Sequence, residues 1–236
     1  MAAKVAVGYS YPQVSRRRLR ALRSRVTSWS SPLRRKLPWH YCNDPYKVLV
    51  AEVLVRKTRA SDVHSVFDAI ISRYPTVAAM AIAPPDELRR LIRPLGLPNR
   101  AETLQEAARK ALDDHGGELP TDPTILMRWK GIGRYTANAV ACLSLDRPYP
   151  MVDEAVGRLM RRVLGVAKDG PATSDHALWE WMDGLVPSHG AREFNLALLH
   201  LSSQICKPRG PRCGVCPLVG ECAFAKAASG SEARST

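Results

Sequence analysis

From Asp44 to Cys206 the apolar residues recur at intervals of three and four, and nowhere do they alternate with the period of two that a half-buried strand needs. A chain patterned this way folds as packed helices, so the expected fold class is all-α. The stretch "DPYKVLVAEVLVRKT" opens with Asp44 as an N-cap and Pro45 at the first helical position, where the missing N–H costs no hydrogen bond. "DPTILMRWK" repeats the Asp-Pro opening. Around them run "SDVHSVFDAIISRY", short pieces at "TVAAMAI" and "PPDELRRLI", and the glycine-ended "RAETLQEAARKALDDHGG". "YTANAVACLSL", "DEAVGRLMRRVLG", "SDHALWEWMDGLVP" and "REFNLALLHLSSQIC" complete the series. With 236 residues, 45% of them hydrophobic, the chain can bury one large core or two modest ones without a covalent staple. The small, polar end "AKAASGSEARST" is expected to be disordered.

No segment reaches the roughly 18 consecutive apolar residues of a membrane span, and the first residues lack the apolar core of a secretory signal. A cytoplasmic protein is expected, nucleoid-associated if bacterial. The formal charge of +13 points to a polyanionic partner, a nucleic acid or an anionic membrane surface. Residues 1 to 43 hold ten Lys or Arg and no acid. An acid-free, Arg- and Ser-rich start also describes a transit peptide, but "SRRRLRALRSRVTSW" spaces Leu19, Leu22, Val26 and Trp29 as a docked helix would.

Cys206, Cys213, Cys216 and Cys222 form a Cx6Cx2Cx5C loop directly after a helical stretch. In a reducing compartment four thiols so close in sequence point to one soft metal centre, either zinc or an iron–sulfur cluster. Zinc ribbons usually carry two CxxC hooks; a single CxxC flanked by lone cysteines is a wider wrap, suited to a cubane. Lys207, Arg209 and Arg212 in the first arm would meet phosphate. Cys142, among Ala139, Val140 and Leu143, reads as core.

"KGIGRYTANAV" contains Gly131 and Gly133, with Asp153 twenty residues beyond the second glycine, a superficial dinucleotide fingerprint. Thr136 stands where the third glycine should be, and "TILMRWK" reads as helix where that motif demands a strand. A helix, a GxG turn and a second helix form instead a helix-hairpin-helix, or in the plainer reading only a tight turn. Its N–H groups and helix N-terminus can hold one DNA phosphate, with Lys130, Gly131, Gly133, Arg134 and Thr136 as the candidate contacts.

Taken in order, "LPWHY…DPYKVLVAEVLVRKT", "GIGRYTANAV", "MVDEAVGRLMRRV" and the cysteine loop resemble the helix-hairpin-helix DNA glycosylase superfamily, in its endonuclease III and adenine glycosylase branch. The resemblance spans about residues 38 to 222 and strengthens the [4Fe-4S] reading over structural zinc. It implies a two-domain helical fold with the active cleft between domains. Residues 40 to 150 would form a six-helix barrel, residues 151 to 222 the cluster domain, residues 1 to 39 a basic segment whose helix packs on it, and 223 to 236 a disordered tail. The family's catalytic carboxylate aligns with Asp153, whose plain alternative is an N-cap for the following helix; a fixed carboxylate stabilises the positive charge that builds on the sugar as the N-glycosidic bond breaks.

Tyr135 stands at the position of the Schiff-base lysine in bifunctional members. A phenol forms no imine, so base removal without strand cleavage is implied. Lys130, five residues away, does not take that role. Glu52 matches the acid of the base pocket, where an apolar setting favours a protonated carboxyl that can serve the leaving base. Arg56 and Lys57 replace the glutamines with which adenine glycosylases probe the duplex, and an arginine there suits a widowed guanine. Thymine or uracil opposite guanine is the expected substrate, in double-stranded DNA bound by a monomer. Adenine opposite guanine or 8-oxoguanine is the alternative, and a non-catalytic DNA-binding module a further one. The chain also ends soon after the cysteines, with little room for an added domain that would read oxidised guanine.

Overall fold

The computed structural model describes residues 11–29, 37–58, 60–97 and 99–232, and among them every regular element is a helix. The helices are α1 (Arg16–Trp29), α2 (Pro45–Val55), α3 (Ala60–Arg73), α4 (Val77–Ala81), α5 (Pro85–Ile92), α6 (Asn99–His115), α7 (Pro123–Leu126) and α8 (Arg134–Leu145). They continue with α9 (Glu154–Leu164), α10 (His176–Leu185), α11 (Ala191–Gln204) and α12 (Ala223–Glu232). No helix among the described residues is long and apolar enough to cross a membrane. The chain divides into two compact units, one of Arg35–Tyr149 and one joining Met1–Arg34 to Pro150–Thr236.

In the first of these units α2 packs on α8, α3 and α6. Asp44 caps α2 by accepting from the N–H groups of Tyr46 and Lys47, as its sequence position predicts. Val48, Leu49, Val50, Val53 and Leu54 are each at most 2% exposed, and burial of one such side chain contributes about 1.5–3 kcal/mol. Residues 136–144 of α8 are also buried, Cys142 among them. Helices buried over most of their length can only be central, which is why these two form the core of the unit. Asp122 caps α7, but α7 closes after one turn and the chain reaches Lys130 through turns. The first helix of the hairpin is thus shorter than "DPTILMRWK" suggests, because Arg128 and Trp129 close tighter turns, their N–H groups donating three residues back to Ile125 and Leu126.

In the second unit α1 packs on α11, with Leu22 and Val26 each 1% exposed. The basic start therefore includes a docked helix. Arg23 donates to the carbonyls of Leu185 and Gly184 (both 2.8 Å), and Arg18 to those of Val163 and Glu221. Asp175, 3% exposed, accepts from Tyr11 (2.6 Å), Arg161 (2.8 Å) and Lys168 (2.6 Å) and caps α10 through Leu178 N–H. Gly157 lets α9 approach the 172–174 turn, since a Cβ there would stand 2.0 Å from that of Ala172.

The expectation of disorder from residue 223 onward is corrected by α12. Ala225 is buried and the Phe224 ring lies 4.7 Å from the Arg162 guanidinium, so docking on α9 adds to the helix propensity of the alanines. Residues 233–236 lie outside the described residues.

Candidate functional site

Within Arg35–Tyr149 the hairpin turn is anchored by Trp129 and Ile132, 6% and 4% exposed, with Ile132 N–H donating to Trp129 O at 3.0 Å. Gly131 has φ +79°, and a Cβ there would meet Thr103 Oγ1 at 2.7 Å. Gly133 has φ −90° and nothing within 4 Å of a built Cβ. One glycine is required by the turn; the other leaves open space at the start of α8, whose first turn presents its N–H end without a side-chain cap. Lys130 is exposed beside it, Arg134 and Tyr135 are half-buried, and Tyr135 is the second residue of α8.

Thr136 is the third residue of α8. Its side chain is buried and its Oγ1 accepts from Arg56 Nη2 at 3.2 Å, so its backbone and not its hydroxyl can meet a phosphate. Arg56 ends α2 and is half-buried, with Lys57 exposed next to it at φ +53°. Burial lowers the Arg56 pKa and Arg100 pushes the same way, while the charge of Glu52, one helical turn earlier, opposes both. Glu52 is 6% exposed, which the apolar neighbours in "AEVLV" foretell. Arg100, which carries no motif of its own in the sequence, is also buried and donates to Leu95 O at 3.2 Å, to Thr58 Oγ1 at 2.6 Å and to Arg56 O.

Asp153 belongs to the other unit. It caps α9, its Oδ1 accepting from Val156 N–H at 2.7 Å. Burial raises its pKa, and the N–H bonds from Val156 and Ala155 and the charge of Arg158 only partly offset that. The segment leading to it is fixed by Asn195, fully buried in α11, whose Oδ1 accepts from Met151 N–H at 2.9 Å while its Nδ2 donates to Ala191 O. Asn195 carries no local motif that marks it in the sequence.

In the same unit Cys206, Cys213, Cys216 and Cys222 line one pocket with Leu159, Val163 and Ile205. Burial and the neighbouring thiols push the Cys213 and Cys216 thiols up. Four thiolates in such a pocket need several positive charges among them. No group of three or more His, Cys, Asp or Glu among the described residues is arranged around a single ion. Arginines hold the loop: Arg158 donates to Cys206 O (3.1 Å) and Ser202 O (2.9 Å), and Arg162 to Cys206 Sγ (3.4 Å), Lys207 O (2.7 Å) and Pro208 O (3.0 Å). Lys207, Arg209 and Arg212 are exposed.

Residues 50–183 match the family described as HhH-GPD superfamily base excision DNA repair protein. The chain is 35% identical over 200 residues to the thymine/uracil-DNA glycosylase of Methanothermobacter thermautotrophicus, covering 84% of this chain and 90% of that protein. It is 37% identical over 195 residues to the adenine DNA glycosylase of Mycolicibacterium smegmatis, covering 82% of this chain but 66% of that protein. The solved structure of a thermostable thymine-DNA glycosylase superposes with a TM-score of 0.83 at 32% identity, covering 89% of this chain and 98% of the other. With the hairpin, the helical architecture and the match to residues 50–183 in agreement, the chain belongs to the HhH-GPD superfamily of base excision DNA repair proteins.

Proposed function

We propose that this chain is a monofunctional DNA glycosylase that removes thymine or uracil opposite guanine. The observation that carries the reading is Asp153, a carboxylate immobilised at the start of α9 by its cap bond and partly withdrawn from water. As the N-glycosidic bond lengthens, positive charge grows on the sugar; the Asp153 carboxylate stabilises it and orients a water toward the anomeric carbon. The water gives its proton to the Asp153 carboxylate as the new C–O bond forms, and the base departs with the bonding pair, which a proton neutralises. Glu52, buried in α2, is the group that hydrogen-bonds or protonates the leaving base. Tyr135 stands where bifunctional relatives carry the Schiff-base lysine, and a phenol forms no imine, so base removal leaves the strand uncut. Arg56 and Lys57 address the widowed guanine, and Lys130, Gly131, Gly133, Arg134 and the Thr136 backbone hold a DNA phosphate. Likeness to thymine-acting relatives over nearly their full length favours a pyrimidine over adenine.

We infer that the cysteine loop takes a [4Fe-4S] cluster in preference to one zinc ion, because a single CxxC flanked by lone cysteines is a wide wrap and the four thiols share one pocket with apolar side chains. Cys206, Cys213, Cys216 and Cys222 would hold it, and when bound it would brace the loop bearing Lys207, Arg209 and Arg212. Purified protein is expected to be brown with about four irons per chain; colourless protein with one zinc would overturn this assignment.

A base-excision panel of G·T, G·U, A·G and A·8-oxoguanine duplexes, read with and without alkali, tests the function. Release of T and U opposite G is expected, with strand breaks only after alkali. Breaks without alkali would exclude the monofunctional reading, and activity confined to adenine would establish the alternative. The two glycines should separate fold from DNA contact. Gly131→Ala places a Cβ against Thr103 in a left-handed conformation and is expected to cost about 1–3 kcal/mol of stability. Gly133→Ala meets no protein atom and should cost at most about 1 kcal/mol as a poorer N-cap, yet weaken duplex binding tenfold. Thermal melts and binding titrations of the two variants check the contrast.

A further inference from the structure

Arg100 sits in the first turn of α6 at 4% exposure, and an arginine so buried is rare unless its charge is paired. Among the described residues its partners are oxygens of two loops and no carboxylate: Leu95 O, Arg56 O and Thr58 Oγ1. Its Nε is buried without a hydrogen-bond partner among them. A helix start can be secured at lower cost by an apolar side chain, so a half-satisfied buried cation marks a segment whose geometry depends on it. That segment is the turn after α2. The Arg100 fork grips the main chain at Arg56, immediately before Lys57 at φ +53°, a conformation few non-glycine residues adopt. From the gripped residue the Arg56 side chain extends to Thr136 at the start of α8. One line of hydrogen bonds therefore joins the 93–95 turn, the 56–58 turn and the hairpin helix.

We propose that Arg100 is a positioning residue for the DNA-reading turn, holding the 56–58 main chain so that Arg56 and Lys57 meet the opened duplex in register. The proposal rests on the DNA reading given above. It makes Arg100 and Arg56 a single device, whose losses should not multiply.

The test is a cycle of Arg100→Gln, Arg56→Gln and the double variant, read as the Kd for a G·T duplex and the single-turnover rate at saturating DNA. Each single variant is expected to weaken binding about tenfold and the double variant scarcely more, with the saturated rate of Arg100→Gln changed less than about threefold. Independent residues would instead give about a hundredfold in the double variant. That result, or unchanged binding by Arg100→Gln, overturns the proposal. Arg100→Lys keeps the charge but cannot span three acceptors, so only partial rescue is expected, and full rescue would show that charge alone matters. If Arg100→Gln does not fold, Thr58→Val removes one acceptor of the fork and takes its place in the cycle, with the same expected non-additivity. Wild-type chain that neither binds the duplex nor releases thymine overturns the DNA reading and the clamp with it. Wild-type chain that does both, with multiplying variants, overturns the clamp alone.

Discussion

Replacing Asp153 by asparagine is expected to lower the single-turnover rate of base release about a thousandfold, roughly 4 kcal/mol of transition-state stabilisation, without loss of folded protein. Asparagine is as good an N-cap as aspartate, so the bond to Val156 N–H survives and α9 stays in place. The effect on stability has the opposite sign to the effect on rate. Burial raises the folded pKa of Asp153 above its unfolded value, so its ionisation opposes folding as pH rises above about 4. The neutral amide removes that cost, and the melting temperature at neutral pH should be unchanged or higher. The same shift shapes the pH profile. The carboxylate is the active form, so the rate should fall on acidification at a pH above the ordinary aspartate value. Unchanged base release by Asp153→Asn would end the proposed mechanism and favour a non-catalytic DNA-binding role.

The largest stability effect is expected at Asp175→Ala. The Asp175 side chain is 1% exposed and neutralises Arg161 and Lys168 while accepting from Tyr11, so its removal strands two cations in a largely buried setting. Breaking a buried pair in this way costs about 3–5 kcal/mol. For a chain of this size that lowers the melting temperature by roughly 6–20 °C. Burial alone would raise the Asp175 pKa, but the bonds from Lys168, Tyr11 and Arg161 outweigh it and hold the carboxyl well below the usual range. Its stabilisation is therefore complete above the unfolded value near 4 and is lost as pH falls below it. Melting curves from pH 7 to pH 3 should show a drop in the wild type that is smaller in the variant. The Tyr11 hydroxyl, pushed up to about 12 by burial and by Asp175, remains a donor across that whole range. A variant that melts within 2 °C of wild type would show that the network is not what holds the first described residues to α9 and α10.

Much of the architecture is legible locally because capping and periodicity are local physics. Asp44, Asp122 and Asp153 each announce a helix start, and each caps one. Gly131 and the four cysteines are equally readable, since a left-handed turn admits few residues but glycine, and the four clustered cysteines do come together in one pocket. The local signal misleads where docking decides. The small residues after Cys222 resemble a loose tail until Phe224 and Ala225 find α9, and α7 stops sooner than its capping signal suggests.

An all-helical chain, its glycine turn, its cysteine cluster and the candidate acid can be read along the chain, because each depends on neighbours within a few residues. How those groups are held is a matter of long-range packing. Arg100 reaches back 44 residues to the Arg56 carbonyl, Asn195 reaches 44 residues to Met151, and Tyr11 crosses 164 residues to Asp175. Lone polar residues on amphipathic helices look alike in a sequence. Which of them become buried donors depends on where distant backbone oxygens and carboxylates come to rest, and packing alone sets that.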